Sequence, residues 1–284
     1  RKYVPSFLLQ WICVFFINST CLAQLPANAT DSLYRLLQSK PEKDSNRVTI
    51  LLNLSHSMVY EKPDSSMKIA AQALALSRQL KWQKGIALGY RQKGLIYYFQ
   101  SDFVNAIAFS QEALKAAATI NNNLLNASIY NNIANVYADM GQQEKALDYY
   151  KKLLTAAQEA KHRVYEMNAL VNMGLVYLEQ NNFPEALINL QKGLDIAVVE
   201  NNISISAAIY NNMGVAYKNM NRMPEALQHL QKSIALAKQS NNQNAMATSF
   251  NEVAMVYILM KEYKKARQYA TESLTYSMPI KALQ

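Results

Sequence analysis

From Ser128 to Met167, apolar or small residues fall at Ile133, Ala134, Val136, Tyr137 and Met140, which follows the turn of an α-helix rather than the alternation of a strand. Gly141 ends the stretch, because a residue without a side chain takes the left-handed conformation that closes a helix at little cost. Ala146, Leu147, Tyr150, Leu153 and Leu154 then form a second amphipathic stretch. Two apolar stripes joined by a tight turn meet most simply as an antiparallel helix pair.

The pattern recurs at forty-residue steps. Gly94, Ala134, Gly174, Gly214 and Ala254 form one series, Tyr97, Tyr137, Tyr177, Tyr217 and Tyr257 a second, and Ala106, Ala146, Ala186, Ala226 and Ala266 a third. The expected fold class is therefore all-α, a solenoid of antiparallel helix pairs, in which a unit too small to bury its own apolar face stacks on its neighbours. Glycine or alanine on the first helix and alanine on the second allow close approach of the axes, and tyrosine fills what remains. Ser101, Asn181-Asn182, Asn221 and Lys261 mark the turn inside other units, while Asn121-Asn122, Asn201-Asn202 and Asn241-Asn242 mark the break between units. Pro184 and Pro224 open second helices, where the missing N–H costs nothing.

Five such units occupy residues 87–277, with a tail at 278–284. Upstream, Leu51, Leu52, Leu54, Ala70 and Ala73 keep the register, so residues 47–86 read as a degenerate first unit, preceded by a lead helix and linker at 24–46. Arg1 and Lys2 precede an apolar run from Val4 to Ile17, and Cys21-Leu22-Ala23 offers small residues for cleavage before Gln24. Residues 1–23 are expected to be a secretory signal peptide, which places the mature chain outside the cytoplasm, periplasmic or secreted. An uncleaved leader acting as a membrane anchor is the alternative. The chain begins with Arg1 and stops at Gln284 soon after a unit with no capping helix, which suggests fragment ends and a longer working protein.

Composition narrows the chemistry. Both cysteines, Cys13 and Cys21, fall in or beside the leader, so the repeats hold no thiol for a disulfide, metal or covalent intermediate. The net charge of +9 invites a nucleic-acid partner, but Lys115, Lys151, Lys152, Lys192, Lys232, Lys264 and Lys265 scatter over second helices and read as a solvated face, so no nucleic-acid partner is expected. His56, His162 and His229 stand far apart with no metal-ligand spacing. No phosphate loop, dinucleotide fingerprint or nucleophile turn is present. Glu144, Glu185 and Glu225 suit the positive ends of second helices. Met140, Met173, Met213, Met220 and Met260 read as core filler. The expectation is a non-catalytic chain with no cofactor and no metal.

The run Tyr130-Asn131-Asn132-Ile133-Ala134-Asn135-Val136-Tyr137 followed by Ala146, and Tyr210-Asn211-Asn212-Met213-Gly214 through Tyr217 with Pro224-Glu225-Ala226, resembles the tetratricopeptide repeat. The resemblance implies a right-handed superhelix of helix pairs whose first helices line a concave surface. The family period is ~34 residues, and the extra length here is expected in the second helix and in the joint between units. The leader, lead helix and repeats together are similar to the extracytoplasmic sensor region of bacterial signalling proteins such as histidine kinases. That similarity implies a membrane span and output domain beyond Gln284, with recognition changing superhelix pitch. A free periplasmic or secreted scaffold for protein assembly is the alternative. Membrane association is expected only through such a span or through an uncleaved leader.

Positions matching the family's concave lining hold Arg91, Gln92, Asn131, Asn132, Asn135, Asn172, Asn211, Asn212 and Asn251. This amide ladder is the candidate groove for a protein or peptide ligand, since each amide both donates and accepts. At ~0.5 to 1.5 kcal/mol net per hydrogen bond, four give a few kcal/mol before binding costs. The same residues also suit hydrogen bonds to neighbouring helices, and both readings stand. Some family members clamp a terminal carboxylate with three consecutive first helices. Arg91 and Asn132 match two of those places, but Leu95, Asn168 and Asn172 stand where an asparagine and two cations are needed.

Overall fold

The computed structural model describes residues 29–39 and 41–277, so the leader expected at 1–23, both cysteines and the tail at 278–284 lie outside the described residues. The chain divides between Ala169 and Leu170 into two compact units. The N-terminal unit holds α1 (Ala29–Ser39), α2 (Ser45–Ser57), α3 (Pro63–Gln79), α4 (Gln83–Phe99), α5 (Phe103–Ala117), α6 (Asn123–Asp139), α7 (Gln143–Glu159) and the start of α8 (Arg163–Glu179). The C-terminal unit holds the rest of α8, then α9 (Phe183–Val199), α10 (Ile203–Asn219), α11 (Met223–Gln239), α12 (Gln243–Leu259) and α13 (Tyr263–Ser277). No strand occurs among the described residues.

A twenty-residue step underlies the forty-residue one. Residues with positive φ stand at Lys81, Ser101, Asn121, Gly141, Lys161, Asn181, Asn201, Asn221, Asn241 and Lys261. At nearly every one, two backbone bonds close the preceding helix in the manner of a Schellman cap. In the first, Lys81 N–H donates to Arg78 C=O at 3.1 Å and Trp82 N–H to Ser77 C=O at 2.9 Å; the pair recurs at Ser101 and Asp102 and on to Lys261 and Glu262. The next residue often starts the following helix. Asp102, Asn122, Asn202 and Asn242 each accept from the backbone N–H three residues on. An Asn-Asn pair therefore has a division of labour: the first asparagine takes the left-handed turn and the second caps the new helix.

This symmetry corrects the expected place of the extra length. Both helices of a pair reach seventeen residues in α6 and α7 and again in α10 and α11, and the joints between pairs are as short as the turns within them. The caps recur at even twenty-residue intervals, which divides the extra residues equally between the two helices.

Within each unit, a pair buries its apolar stripe on the next pair. Ala87, Ala113, Leu125, Ile129 and Ile133 join α4 and α5 to α6, and Ala207, Leu230, Ile234, Phe250 and Val253 join α10 and α11 to α12. First helices also touch the next first helix, α2 to α4 to α6 and α10 to α12, which makes them the inner layer of each unit. Glycine sets the spacing inside a pair: a Cβ added at Gly214 would lie 2.6 Å from Leu230 Cγ, and one at Gly174 would lie 2.8 Å from Leu190 Cγ. Ala134, Ala146, Ala186 and Ala226 are fully buried, and Ala106 likewise.

The tyrosine series belongs to a ring stack. Tyr97 stacks on Phe109, Tyr137 on Tyr149 and Tyr257 on Tyr269, with centroids 5.2, 5.6 and 5.4 Å apart, and Tyr217 meets His229 at 4.9 Å. Lys93, Lys145, Arg222 and Lys265 sit over rings of these stacks. Met173 and Met213 are buried, but Met140 and Met260 are exposed, because they occupy C-caps at helix ends rather than the core.

Candidate functional site

The structure places Arg91 and Gln92 on α4, Asn131, Asn132 and Asn135 on α6, and Asn168 on α8 in the N-terminal unit; Asn172 on α8, Asn211 and Asn212 on α10 and Asn251 on α12 belong to the C-terminal unit. All lie on first helices, the inner layer, because the forty-residue register repeats their angular position. Gln92, Asn132, Asn135, Asn168, Asn172, Asn211 and Asn212 are buried, whereas Arg91, Asn131 and Asn251 are half-buried.

Their partners separate them into two groups. Asn135 accepts from the Tyr150 hydroxyl at 2.7 Å, Asn211 from the Ser249 hydroxyl at 3.1 Å, and Gln92 Nε2 donates to Ser55 Oγ at 3.2 Å. These side chains tie helices together, as the structural reading of the ladder requires. Among the described residues, Asn132 Nδ2, Asn212 Nδ2, Asn131 Oδ1 and Arg91 Nε are enclosed without a hydrogen-bond partner. Asn132 and Asn212 share a place in the register with Gln92, Asn172 and Glu252, which have partners of their own. Within the N-terminal unit, the Asn132 donor and the Asn131 acceptor are the kinds of group that the C=O and N–H of a peptide backbone answer. Leu95 packs against the cluster of Tyr98, Ala106 and Val136, so the place needing a polar clamp residue is apolar.

Three polar contacts on the inner layer escaped the sequence pattern. His56 on α2 is held well below its ordinary value, at about 4, by burial and by the nearby Arg91 guanidinium, although a bond to Gln92 opposes this. Asp139 at the end of α6 is pushed up to about 6 by burial, against the Tyr98 hydroxyl that donates to it. Lys218 on α10 pairs with Glu252 on α12 at 2.5 Å, both largely buried. The spacing of thirty-four residues between Lys218 and Glu252 was the available signal for the last; the other two join residues with no common register.

The remaining histidines have structural partners. His162 Nδ1 accepts from Tyr165 N–H at 3.3 Å as a helix cap, and His229 lies in the ring stack with Tyr217. Among the described residues no three His, Cys, Asp or Glu side chains converge to hold a metal, and no described helix is long and apolar enough to cross a membrane. Lys115, Lys151, Lys152, Lys192, Lys232, Lys264 and Lys265 are all exposed on second helices.

A family model described as Tetratricopeptide repeat matches residues 85–159, 125–197 and 205–277. The chain belongs to the tetratricopeptide repeat family. It is an all-α helical repeat protein and a protein-binding tetratricopeptide module, in a fold that is generally non-catalytic. Solved structures share the fold at low identity. BtubC from P. vanneervenii superposes with a TM-score of 0.67 at 17% identity, covering 76% of this chain and 91% of that one. Aspartyl phosphate phosphatase F from Bacillus subtilis gives 0.66 at 14%, covering 98% and 76%. A Signal Transduction ATPase with Numerous Domains from Pyrococcus horikoshii, with a tetratricopeptide repeat sensor, gives 0.74 at 14%, covering 94% of this chain and 41% of that one. No curated protein sequence matches.

Proposed function

We propose that this tetratricopeptide module recognises an extended segment of a protein or peptide through its first-helix amides, as the extracytoplasmic sensor part of a larger membrane signalling protein. The observation that carries the reading is the unpartnered Nδ2 of Asn132 and of Asn212 at one register position. An enclosed donor left unpaired costs about 1–3 kcal/mol. A partner's backbone carbonyl recovers that cost, and the soft χ2 of asparagine lets the amide turn to meet it. A similarly folded Rap protein was solved complexed with Competence and Sporulation Factor, at a TM-score of 0.67 and 14% identity, which supports a peptide or protein as the ligand class. The sensor role rests on the leader pattern of residues 1–23 and on the likeness to a protein with a tetratricopeptide repeat sensor.

The test is capture of partners from extracytoplasmic extract by the mature chain and by the Asn132→Ala, Asn212→Ala double variant. Because the removed donors have no partner in the fold, this variant keeps its stability while capture falls at least tenfold. Undiminished capture by the folded variant sinks the amide reading.

A further inference from the structure

Four first helices carry an aromatic ring at one register position: Tyr90 on α4, Tyr130 on α6, Tyr210 on α10 and Phe250 on α12. Three of these rings are covered by a side chain of the fold. Arg78 lies over Tyr90 at 5.6 Å and donates to its hydroxyl at 2.7 Å, and Lys232 lies over Tyr210 at 5.3 Å. Lys238 lies over Phe250 at 5.8 Å, and Tyr276 stacks on the same ring with centroids 5.6 Å and planes 7° apart. Among the described residues no cation lies over Tyr130, because each of these covers is withheld in its pair. Ala118 stands in the register of Arg78 and Lys238, and Ala156 in that of Tyr276. Lys152, in the register of Lys232, lies instead over Tyr149 at 4.6 Å and pairs with Asp148 at 2.7 Å. A pocket of about 330 Å³ opens there between α6 and α7 of the N-terminal unit, with Tyr130 and Ala156 in its wall.

The rest of the wall is polar and balanced in charge. α6 adds Asn123 and Asn126, while α7 adds Asp148, Lys151, Lys152 and Glu159. Lys152 stands four residues before Ala156 and Glu159 three after it, so the two flank the gap on one helix face. Among the described residues, Asn123, Asn126, Lys151 and Glu159 have no side-chain hydrogen bond or ion pair. We propose that this pocket binds a free aromatic amino acid. Its ring stacks on Tyr130 as Tyr276 does on Phe250. Its ammonium meets Glu159 and its carboxylate meets the lysine pair, with the two amides bonding to either end. A ligand of one net charge would face two wall charges of its own sign, whereas a zwitterion answers both kinds. The site lies within one helix pair and takes a small molecule, so it goes beyond the recognition of a segment by first-helix amides and does not depend on it.

The experiment titrates the full chain with L-phenylalanine, with L-alanine, and with N-acetyl-L-phenylalaninamide, which keeps the ring and lacks both charges. Calorimetry reads the affinity, and NMR follows the Tyr130 ring signals. Phenylalanine is expected to bind and to shift Tyr130. Each of the other two probes binds at least about tenfold more weakly, since alanine loses the stack and the blocked amide loses the two charge-assisted bonds.

Ala156→Tyr fills the slot as Tyr276 fills its own, and abolishes phenylalanine binding. Ala118→Lys restores the cover that Lys238 gives Phe250 and weakens binding about tenfold. Glu159→Gln weakens phenylalanine about tenfold and leaves the blocked amide unchanged. Ala118 and Glu159 are exposed, so these two variants decide the matter even where Ala156→Tyr does not fold. Equal binding of phenylalanine and the blocked amide overturns the proposal. So does a failure of the unaltered chain to bind phenylalanine, or binding that Ala118→Lys and Glu159→Gln leave unchanged. Neither result alters the capture that tests Asn132 and Asn212, so the two readings fail separately.

Discussion

Replacing Gly214 by alanine puts the packing of a helix pair to a quantitative test. An added Cβ would stand 2.6 Å from Leu230 Cγ, 2.8 Å from its Cδ2 and 3.3 Å from the Ala226 carbonyl oxygen. Carbon atoms in good contact keep about 3.5–4.0 Å, so α10 and α11 must part by about 1 Å or Leu230 must leave its rotamer. Leu230 is fully buried among Ala207, Ile234 and Phe250, and the carbonyl is backbone, so neither yields freely. Overpacking of this kind costs about 1–3 kcal/mol. Alanine recovers about 0.8–1.0 kcal/mol of helix propensity. The net expectation is a loss of about 1 kcal/mol. Leu230→Ala alone costs about 2–5 kcal/mol through the cavity it leaves, but in the Gly214→Ala background it costs about 1–2 kcal/mol less, because the new methyl occupies part of that space and the clash disappears. Urea unfolding of the four proteins in the cycle, with hydrogen exchange over α10 and α11 to localise the effect, measures the coupling. Additive losses within about 0.5 kcal/mol would refute the close contact.

Asp139 binds its proton more tightly in the fold, near pH 6, than in the unfolded chain, near 3.8, so it stabilises the fold below about pH 4 and that contribution disappears as pH rises through 6. Asp139→Asn is expected to gain about 1–2 kcal/mol at pH 7 and nothing below pH 4, the full shift being reduced by the carboxyl's residual contact with solvent; thermal unfolding across pH 4–8 reads this out. His56 acts in the opposite sense, since its lowered value removes stability as pH falls from 6.5 to about 4, and His56→Gln should flatten that limb of the same profile. Lys161→Gly, at φ +51°, should gain about 1 kcal/mol by relieving a side chain in the left-handed region, and Asn242→Ala should lose about 1 kcal/mol with its cap on Ala245. Chemical denaturation of the two single variants checks both signs.

The forty-residue series made the helix pairs readable because glycine, tyrosine and alanine at those positions answer to packing, where few side chains fit. The turn and break residues named from the sequence fall on a twenty-residue step, but Lys81 and Lys161 escaped notice, since a cap needs only a backbone conformation and lysine carries no turn signal. The partner ring of each stack was equally obscure: Phe109, Tyr149, His229 and Tyr269 supply it, while Asn189 stands there in the unit between and bonds to the Glu185 carbonyl instead. For the amides, register placed every residue on a first helix but not its partner. Asn135 and Asn132 are three residues apart, yet one accepts from the Tyr150 hydroxyl and the other's Nδ2 finds no hydrogen-bond partner among the described residues. His56 and Arg91 come from different helices with no shared offset, so only the folded arrangement puts the Arg91 charge where it acts on the His56 ring.

Side-chain amide NMR of the chain with its captured partner tests most directly whether the unpartnered asparagines are the recognition groups. With asparagine Nδ2 and lysine Nζ labelled, the account predicts that the Asn132 and Asn212 signals shift and gain protection from exchange, while the bonded Asn135 and Asn211 and the exposed lysines of the second helices, Lys151 and Lys192, change little. Partner binding that moves the lysine signals and leaves Asn132 and Asn212 unchanged would contradict it.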